Sequence, residues 1–154
     1  MDWIAFALFL TACGAAATTG AMFPPGDWYD RLDKPAWTPP DWLFPVAWTL
    51  LYIAISVAPA RVVGQEGADY ALILWGVQIA FNTLWTPIFF GLRRLGGGMA
   101  VLIGLWLSVA ATMVALFGLD PLSGWLFVPY LVWVSYAGAL NLSIWRRNPE
   151  PVAA

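Results

Sequence analysis

Apolar residues run along this chain in five blocks of about 20, each closed by polar or glycine–proline punctuation. The blocks are Trp3–Met22, Leu43–Val63, Tyr70–Gly91, Met99–Leu119 and Trp125–Trp145. Arg61, near the end of the second, is the only Asp, Glu, Lys or Arg inside them. About 20 apolar residues in helical conformation cross the roughly 30 Å hydrocarbon layer of a bilayer. The pattern therefore predicts an all-α protein: one integral membrane bundle of five transmembrane helices, residues 1–154 forming a single domain. The punctuation reads "PPGD", "GQEGAD", "RRLGGG" and "GLDPLSG". Three connections are short, which makes sequential helices antiparallel neighbours. The first, residues 23–42, is long, and long loops in compact proteins tend to be functional lids. Its continuation "DKPAWTPPDWLFPVAWTLLY" carries four prolines and three tryptophans into the second span.

Composition agrees with a lipid solvent. The chain is 61% hydrophobic and 10% charged, against about 25% charged in soluble domains. A net charge of −2 leaves no basic surface for nucleic acid. The absence of histidine excludes His-ligated zinc, His-ligated haem and His-based triads. A single cysteine, Cys13, cannot form an internal disulfide. "LTAC" looks like a lipoprotein cleavage box, but the chain opens Met-Asp-Trp without the positive start of a signal peptide, so Cys13 reads as a buried thiol. Arg31, Lys34, Arg93, Arg94, Arg146 and Arg147 fall on one side of the predicted topology and Arg61 on the other. The positive-inside rule then puts the long loop and the C-terminus in the cytoplasm and the N-terminus outside, for insertion in an inner-type membrane of a bacterial envelope.

Eleven tryptophans remain to be explained. An interfacial aromatic belt accounts for Trp3, Trp42, Trp125 and Trp145 at span ends. Trp48 and Trp133 lie deeper, Trp133 about 12 Å below its span end at about 1.5 Å per residue. Such residues either pack helices or wall an aromatic pocket. Spacing puts Trp48 with Tyr52 on one face, Asn82 with Trp85 and Phe89 on another, and Trp133 with Ala137 and Asn141 on a third. Unpaired amides are expensive in hydrocarbon, so Asn82, Asn141 and Gln78 are expected to point inward, to other helices or to a ligand. Ala137 leaves room on the Trp133 face. Ion pumps and channels use ionisable residues within the membrane, and their scarcity here points to an apolar, aromatic-walled cavity for a flat hydrophobic ligand. Two small-residue runs, Gly76/Ala80 and Gly104/Ser108/Thr112, allow close helix approach.

"KPAWTPPDWLFPVAWTLLY", "FNTLWTPIFFGLRR" and "PYLVWVSYAGALNLSIWRRN" resemble the tryptophan-rich sensory protein/translocator protein family, also called the peripheral benzodiazepine receptor. The resemblance runs from about 3 to 148 and is nearest to the bacterial members. It implies five helices, a homodimer formed through the third span, and binding of porphyrins (protoporphyrin IX, haem), cholesterol and synthetic benzodiazepine-type ligands, with no cofactor required. It places ligand contacts at Tyr29, Trp37, Trp48, Tyr52, Asn82, Trp133, Ala137 and Leu140. Trp48 and Trp133 match the pair that the family associates with light-dependent porphyrin breakdown. The dimer face would fall on Gly76 and Ala80. The first loop would act as lid, its prolines Pro35, Pro39, Pro40 and Pro45 fixing its path, with Trp37 and Trp42 capping the cavity. Two departures stand out. Ala36 replaces an aromatic that close relatives often carry. The segment Leu140–Arg146 lacks the Tyr of the animal cholesterol motif, so sterol binding is expected to be weak.

Three functions follow from different classes: a porphyrin-binding membrane receptor or sensor, an enzyme that degrades protoporphyrin in light through Trp48 and Trp133, and a porphyrin or sterol transporter. No acid, base or nucleophile constellation supports catalysis in the dark. Inverted repeats or broken helices would favour transport, and five spans do not divide into equal repeats.

Overall fold

The computed structural model describes residues 1–149 and is helical throughout its ordered elements. The helices are α1 (Trp3–Met22), the short α2 (Gly26–Asp30), α3 (Leu43–Val62), α4 (Ala68–Thr86), α5 (Leu95–Leu119) and α6 (Pro121–Arg147). α4 continues without a break into a π-helical turn, Pro87–Gly91. Five of these, α4 counted with its π turn as Ala68–Gly91, are long and apolar enough to cross a membrane, and the chain is an integral multi-pass membrane protein. α1 packs on α3, α3 on α6, α6 on α5, α5 on α4, and α4 back on α1, which closes a five-membered ring.

The helix boundaries follow from local chemistry. Asp2 caps α1, its carboxylate accepting from the Ile4 and Ala5 amides at 2.9 Å each, as an N-cap side chain should. Asp120 caps α6 by accepting from Ser123 N at 3.2 Å, and Pro121 occupies the first helical position, where a missing N–H costs nothing. The turn in "GLDPLSG" thus shrinks to Asp120 itself. "RRLGGG" is shorter as a break than the sequence pattern implies, because α5 begins at Leu95 and takes the glycines into its first turns. Packing explains them. A Cβ on Gly98 would meet Phe89 at 2.9 Å and Asn141 Oδ1 at 3.0 Å. The Gly104/Ser108/Thr112 run lies inside the bundle: Ser108 and Thr112 are buried, and a Cβ on Gly104 would strike the Phe81 ring of α4. Gly76 and Ala80 face outward, with Ile73, Val77 and Leu84 exposed on the same stretch.

The end opposite the long loop is tightly closed. Arg61 Nε donates to Asp120 Oδ2 at 2.6 Å, Ser123 Oγ donates to Ala58 O at 2.9 Å, and Asp2 N donates to Ala60 O at 2.9 Å. Cys13 is fully buried in α1 beside Ser56, whose hydroxyl lies 3.4 Å from its sulfur. The bundle is therefore sealed at one end and hollow toward the other.

Candidate functional site

The hollow is a cavity of about 630 Å³ lined by all five spanning helices and by the first loop. That volume is within the usual range for a small-molecule site. One wall comes from α3 and α6. Trp48 and Tyr52 lie tilted at 34° with centroids 5.3 Å apart, and Trp48 meets Trp133 edge to face at 6.5 Å and 86°. Phe44 adds a further edge contact to Trp133 at 5.9 Å. Ala137 and Leu140 continue this wall one and two turns along α6.

The facing wall owes its shape to Pro87. Proline removes a helical donor and crowds the preceding turn, and the chain answers by widening, with Leu92 N donating to Pro87 O at 2.8 Å in π-helical register. The wide turn lets the consecutive residues Phe89 and Phe90 both reach the cavity alongside Trp85. Trp85 stacks on Phe89 at 4.9 Å, and Tyr29 from the loop meets Phe90 at 5.4 Å.

Polar groups are few and mostly committed. Tyr52 Oη donates to Asn82 Oδ1 at 2.8 Å, Asn82 Nδ2 donates to Tyr130 Oη at 3.0 Å, and Tyr130 Oη donates to Gln78 Oε1 at 2.9 Å. This chain ties α3, α4 and α6 together at the cavity floor. Asn141 Nδ2 donates to Leu95 O at 3.0 Å, and its Oδ1 accepts from Trp85 Nε1 at 3.4 Å. The three amides expected to point inward do so, and their partners are chiefly other helices. Gln78 Nε2 is the one buried side-chain nitrogen or oxygen without a partner among the described residues.

The loop is fastened to α6. Asp33 N donates to Asn148 Oδ1 and Asn148 Nδ2 donates back to Asp33 O, both at 3.0 Å. Trp28 and Leu32 are buried against Phe89, Leu140 and Ile144. Lys34 Nζ donates to the Tyr29 and Asp30 carbonyls at 2.6 and 3.2 Å and sits 4.6 Å over the Tyr29 ring. Burial, then the nearby Asp41 and Asp30 carboxylates, push the Tyr29 phenol up to about 12.

Seven of the eight residues expected at a ligand site, Tyr29, Trp48, Tyr52, Asn82, Trp133, Ala137 and Leu140, share this cavity. Trp37 does not. Its ring packs edge-on against Tyr136 at 5.6 Å on the outside, and its carbonyl accepts from Tyr136 Oη at 2.6 Å. Trp42 is likewise off the wall and 65% exposed. Tyr29, Phe23 and Phe44 take the inner positions instead. Sequence reasoning also missed Tyr130, the fully buried centre of the polar chain, and the α1 wall. That wall is built by Ala16, Ala17, Gly20 and Ala21, from the small-residue run "GAAATTGA". The run was the available signal, because only small side chains leave such a volume open. The lining residues of α5 and α6 are buried or half-buried, whereas Ala17 and Gly20 of α1 and Pro45 and Thr49 of α3 are exposed. The cavity therefore opens on its α1/α3 side.

Comparison with known proteins agrees with this architecture. The family model described as the TspO/MBR family matches residues 3–146. The chain is 59% identical to Protein CrtK of Rhodobacter capsulatus, covering 97% of this chain and 96% of that one. It is 54% identical to the tryptophan-rich sensory protein of Cereibacter sphaeroides, over 96% and 94% of the two chains. It is 34% identical to the human translocator protein, over 95% and 91%. With five spans, an aromatic cavity between them and a match along almost its whole length, the chain belongs to the TspO/MBR family.

Proposed function

We propose that this protein is a membrane receptor for porphyrins and related flat hydrophobic ligands, acting as a sensor in tetrapyrrole regulation. One observation carries the reading. Two aromatic walls, Trp48/Tyr52/Trp133 and Trp85/Phe89/Phe90, face a common cavity whose lining, among the described residues, holds a single charged side chain, Asp41. A planar ring between them gains apolar burial and stacking worth about 0.5–1.5 kcal/mol per aromatic contact beyond the area term. The ring needs no metal ligand from the protein, so protoporphyrin IX and haem should bind alike, with no cofactor required. Sterols should bind weakly, and benzodiazepine-type ligands fit the same apolar chemistry. Titrating protoporphyrin IX against tryptophan fluorescence in lipid nanodiscs tests the reading. Saturable quenching near one ring per chain supports it, and unsaturable partitioning contradicts it.

A second reading, light-dependent porphyrin degradation, is favoured by the contact of Trp48 with Trp133 at 6.5 Å. Two oxidisable indoles would then lie beside the excited ring. It predicts loss of the bound porphyrin spectrum under illumination and not in the dark. For assembly, the exposed Gly76/Ala80 stretch of α4 is the proposed homodimer face, since small residues let helices approach closely in lipid. For orientation, six of the seven Lys and Arg residues lie at the loop end, which the positive-inside rule assigns to the cytoplasm.

A further inference from the structure

Among the described residues, Asp41 is the only acidic or basic one on the cavity wall. It stands between Pro40 and the start of α3, exposed at the open side of the cavity together with Pro25 and Pro45. The ion pairs among the described residues are Arg61–Asp120 and Arg147–Asp33, and Asp41 takes part in neither. Lys34 sits beside this part of the mouth, its ammonium 4.6 Å over the Tyr29 ring. Its ammonium is held by the carbonyls of Tyr29, Asp30 and Leu32 and it does not line the cavity. The carboxylate is close enough to Tyr29 to disfavour phenolate formation there. A ligand seated between the aromatic walls thus meets one fixed negative charge where its polar end emerges.

We propose that Asp41 sets the charge preference of this cavity, disfavouring ligands that present a carboxylate at the mouth and favouring those that present a neutral or cationic end. The inference deepens the porphyrin reading and rests on it, since tetrapyrroles with free acid side chains carry the disfavoured charge. Like charges a few ångströms apart in a wet mouth repel by about 1 kcal/mol, roughly fivefold in affinity, and salt screens that repulsion.

The test uses the full-length protein in phosphatidylcholine nanodiscs and two probes, protoporphyrin IX and its dimethyl ester, which keeps the ring and removes both charges. Three proteins are titrated: wild type, Asp41→Asn, and Asp27→Asn, which makes the same change in net charge at an exposed loop residue off the cavity wall. Asp41→Asn should tighten the dicarboxylate about fivefold, leave the ester unchanged, and lose the difference from wild type at high salt, while Asp27→Asn changes neither probe. If the ester binds saturably but Asp41→Asn leaves the dicarboxylate at wild-type affinity, or Asp27→Asn shifts it equally, the charge role of Asp41 is wrong and the cavity reading survives. If neither probe binds saturably to wild type, the porphyrin reading falls and takes this inference with it.

Discussion

The side-chain amide of Asn82 donates to the hydroxyl of Tyr130 at 3.0 Å inside the bundle. Because Tyr52 also donates to Asn82 and Tyr130 donates to Gln78, this bond is the middle of a chain joining three helices beside the cavity. Asn82→Ala leaves the Tyr52 hydroxyl without its acceptor and strips Tyr130 of one of its two partners, and a buried group left unsatisfied costs about 1–3 kcal/mol. The thermal midpoint in detergent should fall. Tyr130→Phe should also destabilise, and the double variant should lose less than the sum, as residues of one network do. Strict additivity of the two would show that Asn82 and Tyr130 act separately.

Trp133→Phe separates ring binding from ring chemistry. The apolar face remains, so porphyrin affinity should stay within a few-fold of wild type. On the photochemical reading, any light-driven loss of absorbance should stop, because a benzene ring is much harder to oxidise than indole. Absorbance decay under illumination, compared with a dark control, reads this directly. Decay at the wild-type rate would remove Trp133 from any photochemical role.

Asp120 governs the closed end. Its bonds to Arg61 and Ser123 hold its carboxyl down to about 2, below the ordinary 3.8. A depressed carboxyl contributes stability that is complete above its unfolded value and fades as pH falls through its folded one. The midpoint of unfolding should therefore be flat above about pH 4 with respect to this group and drop between about 4 and 2. Asp120→Asn should flatten that acid limb and, because asparagine caps as well as aspartate but cannot pair with the Arg61 guanidinium, lower the neutral-pH midpoint only slightly. An unchanged limb in the variant would assign it to other carboxylates.

Gly76→Leu addresses assembly. No side chain lies within 4 Å of a Cβ at Gly76, so the fold should tolerate the change, while a close helix–helix contact there should not. Wild type should run as a dimer by light scattering in detergent, and the variant as a monomer. An intact dimer would move the interface off α4.

Local chemistry carries much of this molecule. The five spans were legible because lipid demands length and hydrophobicity from every crossing helix, and the inward amides because hydrocarbon offers no other partner. The cavity faces were legible where helical spacing alone sets them, as with Trp48 and Tyr52. The loop was not. Its path is fixed by contacts across more than 90 residues of chain, Asp33 with Asn148 and Trp37 with Tyr136, and no local pattern encodes them. Those contacts turn Trp37 outward and leave Tyr29 as the inner aromatic. Tyr130 was illegible for a similar reason, since its role depends on amides 48 and 52 positions away. The π turn that brings Phe89 and Phe90 into the cavity together departs from the 3.6-residue period on which spacing arguments rest.

The proposed site for a flat tetrapyrrole is the space between Trp48, Trp133 and the α4 aromatics. Ala137 lines that space at a half-buried position on the α6 wall. Volume added there enters the cavity. The most direct measurement is a protoporphyrin IX titration, read by tryptophan quenching, for wild type, Ala137→Thr and Ala137→Phe, with helicity and thermal midpoint recorded for each. Wild type should bind saturably, the threonine variant more weakly and the phenylalanine variant at least about tenfold more weakly, a loss of about 1.4 kcal/mol or more, with all three equally helical. Equal affinity across the three folded proteins would contradict the proposed site and place the ligand somewhere other than this cavity.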